Sequence, residues 1–224
     1  MRKEPKQKRS REMVERLLDA TAVTIAERGL DFTTTNHIAE KAGVSIGSLY
    51  QYFPDKDSLI EALLERMGER LSQAFRLQAE TFSYQQRDLS YVARYAIRFG
   101  LKMIQQDALT GEIIRNWNRL AIDLMLDPME RLFLVMAQPY FLKNYANYPI
   151  ENLEAKLYVL INSVMFTAIR YLHQERAVIT EKQLVDTLTE MIVTMLEPAG
   201  TPPVAEKKTR AKPVAAGKKK VSRG

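Results

Sequence analysis

From Arg11 to Leu196 apolar residues recur at helical spacing, and no run alternates in the period-two manner of a strand with hairpin turn chemistry. Val14, Leu17, Leu18, Thr21, Ala22, Ile25 and Ala26 follow the i, i+3/i+4 rule, and Gly29 ends that stripe because glycine accepts the left-handed conformation. A second long stripe runs through Leu153, Leu157, Leu160, Ile161, Val164, Ala168 and Leu172. A third, Leu184, Leu188, Met191, Ile192 and Met195, follows Thr180-x-x-Gln183, a capping box that satisfies the free amides of a first helical turn. No unit of 20–50 residues repeats. The predicted fold class is all-α.

Composition narrows the chemistry. The 224 residues contain no cysteine, so a disulfide framework, a thiol nucleophile and a cysteine-ligated zinc site are excluded. His37 and His173 are the only histidines, too few for a three-histidine metal site within one chain. No Gly-x-Ser-x-Gly elbow, Walker loop or His-Glu-x-x-His helix occurs, so neither catalysis nor a metal or other cofactor is expected. No apolar run reaches the ~18 residues of a membrane span, and no apolar signal region follows the basic start. A cytoplasmic location and no membrane partner are expected.

Charge is unevenly placed. The net +6 divides into +5 over Met1–Arg11, +7 over Thr201–Gly224 and −6 over the body between. Basic ends on an acidic body point either to a polyanion such as nucleic acid or to solvated tails that aid solubility. Pro198–Gly224, with four prolines, three glycines and no aromatic residue, lacks a face to bury and is expected to be disordered.

One segment departs from a generic bundle. Thr33–Lys56 spells two very short helices. The first follows a Thr34 or Thr35 cap and buries Ile38, Ala39 and Ala42. Gly43 supplies a positive-φ turn, Val44 plugs inward, and Ser45 caps Ile46–Tyr52, which Pro54 bars from continuing. Two short helices joined by a glycine turn are the helix-turn-helix unit, whose second helix enters the major groove of DNA. Leu49 and Phe53 should pack inward, leaving Tyr50, Gln51 and Tyr52 on or near the outer face. Gln51 can bond an adenine edge, Ser48 can donate or accept, and tyrosine hydroxyls and Lys56 can reach phosphates. The same Ala-Gly-Val could also be a plain helical hairpin turn, with the tyrosines covering the bundle.

The residues Gly29, Phe32, Thr34-Thr35-x-x-Ile38-Ala39, Ala42-Gly43-Val44-Ser45, Gly47-x-Leu49-Tyr50-x-Tyr52-Phe53 and Lys56-x-x-Leu59 closely resemble the DNA-binding head of the TetR family of bacterial transcriptional regulators, over about residues 11–65. The resemblance implies a basic arm at 1–10, a three-helix head at 11–55, a helical ligand-binding and dimerisation domain at 56–197, and a basic tail at 198–224, with about nine helices in all. It implies a DNA-facing set of Thr35, Asn36, Ser45, Ile46, Gly47, Ser48, Tyr50, Gln51, Tyr52 and Lys56, with Thr35 and Lys56 on phosphates. It further implies a homodimer built on the last two helices, with Leu157, Leu160, Ile161, Val164, Ala168, Leu188 and Ile192 at the interface. Those stripes fit equally well as inner faces of a monomeric bundle.

The middle of the chain is rich in methionine and aromatic residues, which can line an apolar ligand cavity or form plain core. Tyr95, Met103, Trp117, Phe133 and Met136 are the candidate lining, with Arg98 and Asn162 to orient a ligand; Arg98 reads equally well as a solvated charge. The function expected is a repressor that binds a palindromic operator in double-stranded DNA as a homodimer and is released by a small apolar or amphipathic effector. The alternative is a helical protein–protein interaction module whose head reads no DNA. A helical enzyme is disfavoured by the missing catalytic constellation.

Overall fold

The computed structural model describes residues 8–105, 108–145, 150–174 and 178–197, apart from the Phe82 side chain. Among these residues every regular element is helical: nine α-helices and two 3-10 turns.

Local chemistry sets the boundaries of the first four helices. Helix α1 (Lys8–Arg28) ends at Gly29, whose φ of +80° only glycine adopts without strain. Helix α2 (Thr35–Ala42) starts where the Thr34 hydroxyl accepts from the His37 amide. It ends at Gly43, φ +65°, whose successor Val44 donates back to the Ala39 carbonyl at 3.0 Å in a Schellman closure. Helix α3 (Ile46–Tyr52) is capped by Ser45, which accepts from the Ser48 amide. Helix α4 (Lys56–Phe82) opens with a reciprocal capping box between Asp55 and Ser58. The Ser58 amide holds the Asp55 carboxyl below its ordinary titration range.

Helices α5 (Leu89–Gln105), α6 (Ala108–Arg115), α7 (Asp123–Asn144), α8 (Leu153–His173) and α9 (Glu181–Leu196) complete the bundle. Helix α7 contains Pro139, which lacks the N–H that would bond the Val135 carbonyl. Val135 is 66% exposed, so that carbonyl lies where water can serve it.

One apolar core runs through the expected boundary at residue 55. Leu17, Ile25, Ile38, Leu49 and Phe53 of the head join Leu59, Leu63 and Leu64 of α4, then Ile113, Met125 and Ile169 beyond. Arg66 reinforces the junction, donating to Glu15 at 3.0 Å and Asp19 at 2.8 Å and so tying α4 to α1. Farther along α4 the backbone itself meets α7: a Cβ on Gly68 would stand 2.5 Å from the Met125 carbonyl oxygen. Only glycine permits that approach without a shift.

One boundary shifts. The arm expected at 1–10 is helical from Lys8, because Lys8–Ser10 continue α1. The remainder of the arm, and the tail expected at 198–224, lie outside the described residues. No helix among the described residues is long and apolar enough to cross a membrane.

Candidate nucleic-acid interface and effector cavity

The head presents a compact polar face. Leu49 and Phe53 are fully buried, which fixes the rotation of α3 and turns the rest of the helix outward. Asn36, Ser45, Ile46, Gly47, Tyr50 and Gln51 are exposed, while Thr35, Ser48, Tyr52 and Lys56 are half-buried. Their hydroxyls are already ordered: Thr35 Oγ1 and Tyr50 Oη lie 3.1 Å apart, linking α2 to α3. Ser45 and Ser48 hydroxyls lie 2.8 Å apart over the start of α3. Tyr52 packs against the head core.

Lys56 has a different setting from a free phosphate contact. Its ammonium donates to the Leu30 carbonyl at 3.3 Å, because the turn after α1 folds back over the start of α4. The amide of the same residue, Leu30, donates to Glu112 Oε1 of α6 at 3.0 Å. Beside it Arg119 pairs with Asp31 at 2.8 Å. The Leu30 amide holds the Glu112 carboxyl below its ordinary range, with Arg115 and Asn116 adding to the effect. The turn entering α2 is thus gripped on one side by α4 and on the other by α6. Sequence reasoning missed this grip, since Glu112 and Leu30 lie 82 positions apart and no local pattern joins them.

The large domain holds an apolar cavity of about 260 Å³ among α4, α5, α7, α8 and α9. Of the candidate ligand residues, Tyr95, Phe133 and Met136 line it. Arg98, Met103, Trp117 and Asn162 do not. Arg98 is exposed on α5, and Met103 is half-buried outside the lining. Trp117 packs on the head-side core, edge-on to Phe166. Asn162 bonds Glu130 at 3.2 Å and its own helix at the Tyr158 carbonyl. Leu71, Phe75 and Gln78 of α4 line the cavity unforeseen. Their helical spacing was visible, but not which helix would face them.

The expected interface stripe also points elsewhere. Leu157, Leu160, Ile161, Val164, Ala168 and Ile192 line the cavity, and Leu188 lies in the adjoining core. The stripe is the inner face of its own bundle. The apolar residues that α8 turns outward are Tyr158, Val159 and Phe166, exposed by 59%, 51% and 39%.

A helix-turn-helix head fused through one long helix to an all-helical domain with an apolar cavity is the architecture of a DNA-binding protein. Residues 17–63 match the family described as bacterial regulatory proteins, tetR family. Over those residues, the end of the first helix to the start of α4, the chain is similar to that family. It is 45% identical over 47 residues to nucleoid occlusion factor SlmA of Haemophilus ducreyi, covering 21% of this chain and 23% of that protein. It is 48% identical over 48 residues to the HTH-type transcriptional repressor KstR2 of Rhodococcus jostii, covering 21% and 24%. The chain thus matches about a quarter of the length of these relatives. A TetR transcriptional regulator from Rhodococcus sp. RHA1 has the same fold, with a TM-score of 0.58 at 19% identity over 86% of this chain and all of that one.

Proposed function

We propose that this chain is a transcriptional repressor that binds a roughly palindromic operator as a homodimer and is released by a small, mainly apolar effector. The single observation that carries the reading is the outward face of α3, where the small residues Gly47 and Ser48 stand beside the exposed Gln51. With Leu49 and Phe53 locked inward, Gln51 can meet an adenine edge and Ser48 can donate or accept. Helix α3 has no Lys or Arg, so affinity rests on phosphate contacts around it and on the second head of a dimer.

Dimerisation follows from the reach of one seven-residue helix, which covers too few base pairs for a specific site. The outward residues Tyr158, Val159 and Phe166 of α8 are the surface we assign to it. The cavity supports the effector: it adjoins the distal half of α4, the helix whose first half carries the head. An effector acts only through its differential affinity for the DNA-competent and released states. Such a switch requires no cofactor or metal, and its setting is the cytoplasm.

Titration of DNA from upstream of the protein's own gene, against random duplex, tests the reading. Specific binding should be tighter by about a thousandfold or more. Sedimentation should give a dimer that Phe166→Glu converts to monomer, since one unpaired charge in an apolar contact costs several kcal/mol. Equal affinity for both duplexes would overturn the DNA reading and favour a protein-interaction role.

A further inference from the structure

The cavity wall is specific in what it lacks. Among the described residues lining it there is no Asp, Glu, Lys, Arg or His. The titratable side chains of the wall are Tyr84, Tyr95 and Tyr140, and two of these already serve backbone carbonyls: Tyr84 donates to Met136 at 3.3 Å and Tyr140 to Arg87 at 3.1 Å. Burial pushes the Tyr140 hydroxyl up, which keeps it in its neutral form. Gln78 of α4 also lines the wall, and its side-chain amide donates to the Tyr95 hydroxyl of α5. Around them stand Phe75, Phe99 and Phe133, with Phe75 edge-on to both other rings.

An ion brought into such a wall loses its hydration and gains no counter-charge, so it enters neutralised or not at all. A neutral molecule with one hydrogen-bonding group meets no such barrier. We propose that the cavity selects uncharged lipophiles, with the ligand's single polar group met by the Gln78 amide and the Tyr95 hydroxyl between α4 and α5. The inference rests on the cavity being the effector site and narrows that site to one ligand class. It also places the ligand's polar end against α4, ten residues beyond the tight crossing at Gly68.

Three probes with one ten-carbon chain separate charge from bulk: 1-decanol, decanoate and decylammonium, titrated calorimetrically against the full-length protein. Decanol affinity should be flat between about pH 6 and pH 8. A carboxylic acid titrates near 4.3 and an alkylammonium near 10.4, so at pH 7.5 each charged probe should bind about a thousandfold more weakly. Decanoate should gain about tenfold for each unit the pH falls, and decylammonium about tenfold for each unit it rises. Gln78→Leu or Tyr95→Phe should each weaken decanol about fivefold, the worth of one neutral hydrogen bond.

Ala96→Phe, which fills the cavity from α5, should abolish decanol binding, and Ala79→Leu repeats that test from α4 if the first variant does not fold. Decanol binding blocked by filling, together with decanoate or decylammonium binding as tightly and without pH dependence, overturns the charge inference and leaves the cavity as the site. Decanol binding that survives both filled variants, or no decanol binding at all, overturns the cavity as the effector site.

Discussion

The two halves of α4 are built for different solvents. Its first half, Leu59 to Leu64, is sealed into the head core, where short capped helices hold a polar face outward. Its second half, Leu71 to Ala79, looks into a cavity whose described lining carries no charged residue. The head is specified by its own turns and caps; the cavity exists because five helices from distant parts of the chain leave a gap. Between the halves sits Gly68 against the Met125 carbonyl, a crossing that does not give without moving α4 or α7. A change of shape on the cavity side therefore has a direct route to the head through one helix. A second route is the grip of Glu112 on the turn entering α2.

The sharpest way to break this arrangement is at the crossing. Gly68→Val should force α4 from α7, since a Cβ at 2.5 Å from a backbone oxygen has no rotamer to escape into. Overpacking of this kind costs about 1–3 kcal/mol or more, so the melting temperature should fall by roughly 3–10 °C, read by circular dichroism. A variant with an unchanged melt would show that the two helices have room to part at this point.

Base reading comes next. Gln51→Ala and Ser48→Ala should each lose about 1–3 kcal/mol of discrimination at one operator position while leaving affinity for random DNA unchanged. Binding profiles on operator variants measure this. Lys56→Ala should weaken all sequences alike and also loosen the Leu30 turn, so its melt should drop where that of Gln51→Ala does not.

Glu112→Gln probes the second route. The carboxyl titrates below its ordinary range when folded, so its contribution stands at neutral pH and is lost as the pH falls through the folded value. The stability gap between wild type and Glu112→Gln should therefore be widest near neutrality and close in acid below the ordinary carboxylate range. Thermal melts across pH give the result; a gap that widens on acidification contradicts the assignment.

The smallest effect belongs to the tail. Removing Thr201–Gly224 should leave fold and operator choice intact and reduce the salt dependence of DNA binding. Each phosphate that is no longer neutralised lowers the slope by about 0.9, and the tail carries eight basic residues. Identical salt slopes for full-length and truncated protein would remove the tail from the DNA account.

The head was legible in the sequence because its signals are local. Thr34, Gly43 and Ser45 each act within five residues, and the bounds of α3 at Ile46–Tyr52 followed from Ser45 and Pro54. In the large domain, periodicity gave the helices but not their facing. The stripe through Leu157, Val164 and Ala168 reads identically whether it meets a partner or its own bundle, and it meets its own. Arg98, Asn162 and Trp117 are candidates by residue type alone, and type does not say which side of a helix looks inward. Gln78 and Glu112 carry no signal until α4, α5 and α6 are in place.

If α3 reads base sequence, as proposed, DNA selection will reveal it. Selection from a randomised duplex pool, run in parallel with wild type and the Ser48→Ala/Gln51→Ala double variant, tests it most directly. Wild type should enrich an inverted repeat, and the double variant should retain the repeat spacing with weakened preference at the positions α3 faces. A wild-type pool that enriches no motif, or a double variant that enriches the same motif to the same depth, would contradict the account.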